Sequence, residues 1–177
     1  MFVWTAIDIE SQLSELKNLK SKIEEKLGIF DSVVNLPLHI SLKISFEVSD
    51  SLYPQVIDAI LDYYKSLNKF EIMTKGISRE GSIIWLEMHP NASLEKLHLD
   101  LMSTMQSRFA IHPHKFDLEF KYHTTLFFGL SDEKLFEAEK LLEYVQIPKK
   151  VTADHLVIGS SESGAPGTYR VTHNIML

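Results

Sequence analysis

Polar and apolar residues alternate strictly along Leu38-His39-Ile40-Ser41-Leu42-Lys43-Ile44-Ser45-Phe46, the period of a β-strand with one face in a core and one face open. Side chains two apart share a face, so His39, Ser41, Lys43 and Ser45 are expected on one side and Ile40, Leu42, Ile44 and Phe46 on the other. A second stretch, Tyr122-His123-Thr124-Thr125-Leu126-Phe127-Phe128-Gly129, repeats the arrangement, with His123 and Thr125 sharing a face. The two histidines stand nearly half a chain apart. That spacing predicts two similar halves facing each other.

The rest of the pattern fits the same plan. Phe2 to Ile9 reads as a strand, and Ser11 opens an amphipathic helix with Leu13, Leu16, Leu19, Ile23 and Leu27 that Gly28 closes. A loop through Asp31, Asn35 and Pro37 leads to the first histidine strand. Ser49-Asp50-Ser51 then caps a helix from Leu52 to Tyr64, with Pro54 in its first turn. Strands are expected over 70–78 and 82–88 about a turn at Arg79-Glu80-Gly81, followed by a helix capped by Ser93 and reaching Phe109. After the His112-Pro113-His114 loop, Phe116 to Phe120 leads into the second histidine strand, and Ser131 starts a helix that stops before Pro148. Strands over 151–160 and 168–176 close the chain around a loop of small residues. Each half reads strand, helix, histidine strand, helix, strand, within a single domain whose halves are roughly 1–81 and 82–177. No linker rich in Gly, Pro or Ser separates them.

Composition narrows the choice of function. At 177 residues, with 45% hydrophobic and 24% charged positions, the chain is ordinary for a globular protein. It has no apolar run of about eighteen residues and no signal-peptide pattern, so neither a membrane nor an export route is expected. The absence of cysteine rules out disulfides and thiolate metal sites and fits a cytoplasmic location. A net charge of −6 argues against a protein that coats long nucleic acid. A small anion needs only local positive charge, such as Lys43.

Two groups that exchange protons near pH 7, on opposite walls of a groove, suit displacement at phosphorus. One activates the attacking oxygen and the other protonates the leaving oxygen. Ser41 and Thr125, each two residues beyond its histidine, are placed to donate hydrogen bonds to non-bridging phosphate oxygens. This chemistry calls for no metal and no cofactor. A His-x-Ser/Thr match alone is weak, because hydroxyl residues are common. Its weight comes from both copies lying in strand patterns at equivalent places of two halves. The competing reading is a pair of half-buried histidines with structural hydrogen bonds.

The chain resembles the two-histidine phosphoesterase superfamily, and within it the bacterial 2′-5′ RNA ligase or RNA 2′,3′-cyclic phosphodiesterase group. The resemblance rests on the tetrapeptides His39-Ile40-Ser41-Leu42 and His123-Thr124-Thr125-Leu126. It extends to the opening strand Phe2-Val3-Trp4-Thr5-Ala6-Ile7-Asp8, to Ile84-Trp85-Leu86 with Leu94, Leu97 and His98, and to the segment from Ser161 through Gly167 to Tyr169. It implies an α/β (α+β) fold, a bilobal pseudo-twofold duplication with two antiparallel sheets lining a central groove and helices packed outside. It also implies metal-independent hydrolysis of 2′,3′-cyclic phosphate ends of RNA or small nucleotides to 2′-phosphates, in some members with joining or cleavage of 2′-5′ linkages. Carried onto this chain, His39 and His123 become the acid/base pair, with His123 activating water and His39 protonating the ribose oxygen, and Ser41 and Thr125 become the phosphate donors. The chain departs from the group's pattern at Lys121 and Tyr122, where arginine and proline are usual, and at Ser41, where threonine is common. The expected partners are RNA ends or small cyclic-phosphate nucleotides, bound by a monomer. Alternatives are a non-catalytic binder of RNA ends and a related phosphoesterase acting on 2′-5′ oligoadenylate or a cyclic ADP-ribose phosphate.

Three further residues are candidate substrate contacts, each with a plainer reading beside it. Lys43 either neutralises a phosphate oxygen or is a solvated strand lysine. Phe127 and Tyr169 either stack on a base or belong to the core. Trp85, between Ile84 and Leu86, is expected to pack unless it lies on the groove face. Of Tyr169 and Arg170, at most one should face the groove. His89, His98, His112, His114, His155 and His173 are assigned no chemistry, since none has metal-site spacing or the paired strand setting.

Overall fold

A computed structural model describes residues 1–29 and 36–177; Asp31 and Asn35 of the expected first loop lie outside them. The elements are β1 (Phe2–Asp8), a 3-10 turn over Glu10–Leu13, α1 (Ser14–Leu27), β2 (His39–Glu47), α2 (Tyr53–Lys65), β3 (Phe70–Glu80), β4 (Ile83–Met88), α3 (Ala92–Phe109), α4 (Lys115–Leu118), β5 (His123–Phe128), α5 (Asp132–Leu142), β6 (Lys150–Ala153), β7 (His155–Ser161) and β8 (Arg170–Met176).

The strands form two antiparallel sheets of matching layout, ordered β2-β1-β7-β8 and β5-β4-β3-β6. A pseudo-twofold relation carries β2 onto β5, β1 onto β4 and β7 onto β3. The expected α+β fold with two sheets is therefore present, but each sheet draws on both halves of the sequence. β3 joins the second sheet, and β7 and β8 join the first. The expected strand over 151–160 is accordingly two, because the chain leaves one sheet at Ala153 and enters the other at His155. Each histidine strand is the end strand of its sheet, and the two lie side by side. The backbone N–H of His39 donates to the buried Thr124 hydroxyl at 3.1 Å across that seam.

One continuous core fills the faces turned away from the groove, including Val3, Ile7, Ile40, Leu42, Ile84, Leu86 and Leu126. Helices cover it with their apolar stripes: Leu16 and Ile23 from α1, Val56, Ile57 and Ile60 from α2, Leu94, Leu97, Leu101 and Met105 from α3, and Leu135, Ala138 and Leu142 from α5. Full burial of such a side chain contributes roughly 1.5–3 kcal/mol. A smaller apolar cluster of Trp4, Ala6 and Val157, with Leu36 and Tyr169 against it, occupies the opposite face of the first sheet.

Helix ends follow local chemistry, with exceptions. Gly28 takes the left-handed conformation (φ 58°) that closes α1, and the Ser131 hydroxyl caps α5. Asn91, rather than Ser93, caps α3, its side chain accepting from Leu94 N at 3.0 Å. The residue before α2 is Leu52, and Ser49 serves it through its carbonyl, which accepts from Leu52 N and Tyr53 N. The short α4 has no apolar periodicity to announce it; a capping box between His114 and Asp117 starts it.

Candidate active site

The two histidines occupy equivalent places. His39 lies directly across from Asp8 of β1, and His123 directly across from Glu87 of β4. His39 Nδ1 is 2.7 Å from the carbonyl oxygen of Pro37, and His123 Nδ1 is 2.6 Å from that of Lys121, in each case two residues back. A carbonyl only accepts, so each Nδ1 carries the proton, and each neutral ring keeps its lone pair on Nε2. Each ring also rests on a tryptophan of the neighbouring strand: His39 edge-on to Trp4 with centroids 4.5 Å apart, His123 tilted over Trp85 at 4.4 Å.

Burial sets the charge state of both rings. Removal from water, together with repulsion from a charged His123, pulls His39 down to about 4, against the opposing pull of the Pro37 carbonyl. His123 is likewise held below the usual histidine value by burial, with the Lys121 carbonyl and Glu87 acting in the other direction. Near pH 7 both rings are neutral, and both have the same tautomer. Either ring can therefore accept a proton at Nε2, and a ring so protonated can give it back.

Two adjoining cavities meet at His39. One, of about 590 Å³, has a mixed lining that includes Asp8, Glu10, Lys17, His39, Thr125 and Asn174. The other, of about 530 Å³, is largely apolar and is lined by Trp4, Ile44, Pro166 and Tyr169, with Ser41 and Ser45. Leu36, His39 and Phe128 border both. Ser41 and Thr125 are thus on the walls beside His39. Tyr169 lines the apolar cavity, with its hydroxyl bonded to that of Ser45, whereas the Arg170 guanidinium turns back onto the carbonyls of Gly167 and Tyr169. The small-residue loop before Tyr169 contributes Gly164, Pro166 and Gly167 to the same wall.

Two expected contacts are corrected by the same physical cause. In β2 the pairing with β1 slips twice, between Ala6 and Thr5 and between Thr5 and Val3. In β5 the pairing with β4 slips once, between Trp85 and Ile84. An extra residue breaks the alternation and turns the following side chains to the other face. Lys43 is therefore 1% exposed and points away from the groove, with its ammonium 2.8 Å from the buried Asp117 carboxylate, and Ile44 and Ser45 take the groove wall. Phe127 is 3% exposed and belongs to the core, and Phe128, 57% exposed, borders the cavities in its place.

The shifted stretch of β2 is held by residues that sequence reasoning missed. Asp117 accepts from Lys43 Nζ, from Ile44 N at 3.0 Å and from His114 N at 2.8 Å. His98, stacked on Phe120, has one ring nitrogen 2.7 Å from the carbonyl of Leu42 and the other 2.9 Å from that of Asp117. Thr124 and the two tryptophans were also missed as supports. Only the duplicated position of the tryptophans, one on the first strand of each half, offered a signal. Among the described residues no group of three His, Asp or Glu side chains is arranged to hold a metal ion. No described helix is long and apolar enough to cross a membrane.

A sheet pair of this layout with mirrored His-x-Ser/Thr strands defines a class, and the chain belongs to it: the family model of the 2′-5′ RNA ligase superfamily matches residues 8–165. Among solved structures, that of Escherichia coli LigT complexed with 3′-AMP is similar, with a TM-score of 0.58 and 18% identity over 99% of this chain and 96% of that one. LigT complexed with NADP+ gives a TM-score of 0.61 at 18% identity over 99% and 96% of the two chains. TT0787 of Thermus thermophilus gives 0.63 at 13% identity over 100% and 98%. At these identities the likeness is one of fold. No curated protein matches the chain in sequence.

Proposed function

We propose that this protein is a metal-independent phosphodiesterase that opens 2′,3′-cyclic phosphate ends of RNA or nucleotides to 2′-phosphates, acting as a monomer in the cytoplasm. The observation that carries the reading is the mirrored pair of neutral imidazoles, each tethered through Nδ1 with Nε2 left free, with a hydroxyl two residues further along each strand. A bound phosphate anion favours a proton on one of the two rings. The unprotonated ring takes a proton from water as its oxygen bonds to phosphorus, and the protonated ring gives its proton to the 3′ oxygen as the P–O3′ bond breaks. Ser41 and Thr125 donate to the non-bridging oxygens, where charge gathers in the transition state. The apolar cavity with Tyr169 and Phe128 offers aromatic faces to the base. That LigT has been seen with 3′-AMP and NADP+ supports a nucleotide as ligand.

The test is hydrolysis of the four nucleoside 2′,3′-cyclic monophosphates in EDTA, with 2′- and 3′-phosphate products resolved. The expected result is 2′-phosphate from the native protein, none from His39→Ala or His123→Ala, and losses of roughly 2–4 kcal/mol in transition-state stabilisation for Ser41→Ala and Thr125→Ala. Full turnover in either histidine variant would remove that ring from the mechanism. Nucleotide binding that survives in both variants, with no product from the native protein, would instead identify a binder of RNA ends.

A further inference from the structure

The floor beneath His39 is built from a residue far away in sequence. Trp4 of β1 is paired directly with Gly159 of β7. A Cβ on Gly159 would fall 2.7 Å from Trp4 Cε3, 3.1 Å from Trp4 Cζ3 and 3.0 Å from the carbonyl oxygen of Arg170. Gly159 does not have a positive φ, so the backbone does not call for glycine there. The indole does, together with the Arg170 carbonyl oxygen, because they lie in the space that any side chain would fill. Lying so, the indole is 6% exposed, meets the His39 ring edge-on at 78° and points Nε1–H at the Ser41 hydroxyl oxygen, 3.5 Å away.

We propose that Trp4, seated by Gly159, is a positioning residue that holds both His39 and Ser41 where the reaction needs them. The inference rests on the proposed acid/base reading of the histidine pair. By accepting from the indole, Ser41 Oγ keeps its own proton for a phosphate oxygen. By packing against the imidazole in this T-shaped contact, the indole displaces water from it and favours the neutral ring. The second sheet supports the assignment with a variation. Trp85 is paired with Ser78, the pseudo-twofold equivalent of Gly159, and sends its N–H outward to the Ser78 hydroxyl at 2.7 Å while its ring supports His123. Both indoles therefore lie over a small residue of the next strand and under a histidine of the strand before. Only Trp4 reaches a reacting hydroxyl as well.

The chain has two tryptophans, so Trp85→Phe leaves Trp4 as the only indole, and its fluorescence reports the protonation of the imidazole it touches. In that background the emission is expected to titrate well below the usual histidine value, and adding Gly159→Ala should move the midpoint upward. In the otherwise native chain, Gly159→Ala should lower kcat for a nucleoside 2′,3′-cyclic monophosphate by roughly 10- to 100-fold, with KM within about twofold. Trp4→Phe should lose activity comparably. The double variant Gly159→Ala/Trp4→Phe should lose clearly less than the sum of the two single losses, because the smaller ring relieves the contact with the indole while that with the Arg170 carbonyl oxygen remains; it carries the test if Gly159→Ala does not fold. An unmoved titration together with native kcat in Gly159→Ala would overturn the proposal, as would fully additive losses in the double variant. If the native protein hydrolyses no cyclic phosphate, the acid/base reading falls on that result, and the fluorescence titration still decides whether Gly159 and Trp4 set the state of His39.

Discussion

Replacing Asp117 with asparagine should destabilise the protein far more than its place on a four-residue helix suggests. Its side chain is fully buried and faces a Lys43 side chain only 1% exposed, with N–O separation 2.8 Å. Burial works against the charge of Asp117, yet hydrogen bonds from Lys43, Ile44 N and His114 N hold its carboxyl below the usual carboxylate range. Asparagine keeps the volume but strands the Lys43 ammonium, and breaking a buried pair in this way costs about 3–5 kcal/mol. For a chain of this size that is on the order of 10 °C in Tm. Adding Lys43→Met removes the stranded charge. The carbonyl of the introduced amide then still accepts from Ile44 N, and the His114 N–H and the new NH2, both donors, must find water. The double variant should therefore recover to within about 2 kcal/mol of native. Urea melts at pH 7, compared at constant m, measure both values. A cost under about 1 kcal/mol for Asp117→Asn, or a double variant no better than the single, would refute the reasoning that a buried charge pair locks the shifted stretch of β2.

Two other outcomes follow from the same geometry. Phe128→Ala should leave the melt nearly unchanged while raising KM roughly tenfold, because a stacked base is worth about 1–3 kcal/mol; Phe127→Ala should instead cost about 3–5 kcal/mol of stability. Equal effects in a melt and a kinetic assay would erase the distinction drawn from the register slip. The low folded-state value of His39, about 4 against an ordinary 6.5, means that the unfolded chain binds the extra proton between those limits. Stability should be unaffected above pH 6.5 and fall by about 1–3 kcal/mol as pH drops toward 4. His39→Gln should flatten that slope in urea melts taken across the window; an unchanged slope would place the titration elsewhere.

Much of the architecture is legible along the chain because it is local. Alternation along 38–46 and 122–129 marks the histidine strands, apolar periodicity marks the long helices, and two His-x-Ser/Thr tetrapeptides at equivalent positions mark the groove. Period-2 reasoning, however, assumes an unbroken register. A single inserted residue in β5 was enough to exchange Phe127 for Phe128, and the slips in β2 turned Lys43 from a candidate phosphate contact into a core ion pair. Such a slip is decided by what waits on the far side: Asp117 and His98 for β2, residues whose own segments show no pattern that ties them to it.

The sequence by itself determined the long helices, the duplicated strand motif and the identities of the groups able to exchange protons, since each depends on neighbours within a few positions. Tertiary structure alone decided that β3 and β7 would change sheets, that carbonyls of Pro37 and Lys121 would set both tautomers, and that Gly159 would clear a bed for Trp4 under His39. Those outcomes depend on which surfaces meet when the core closes. Burial then turns each meeting into a constraint, because a polar group or a ring removed from water must find its partner among whatever the fold has placed beside it.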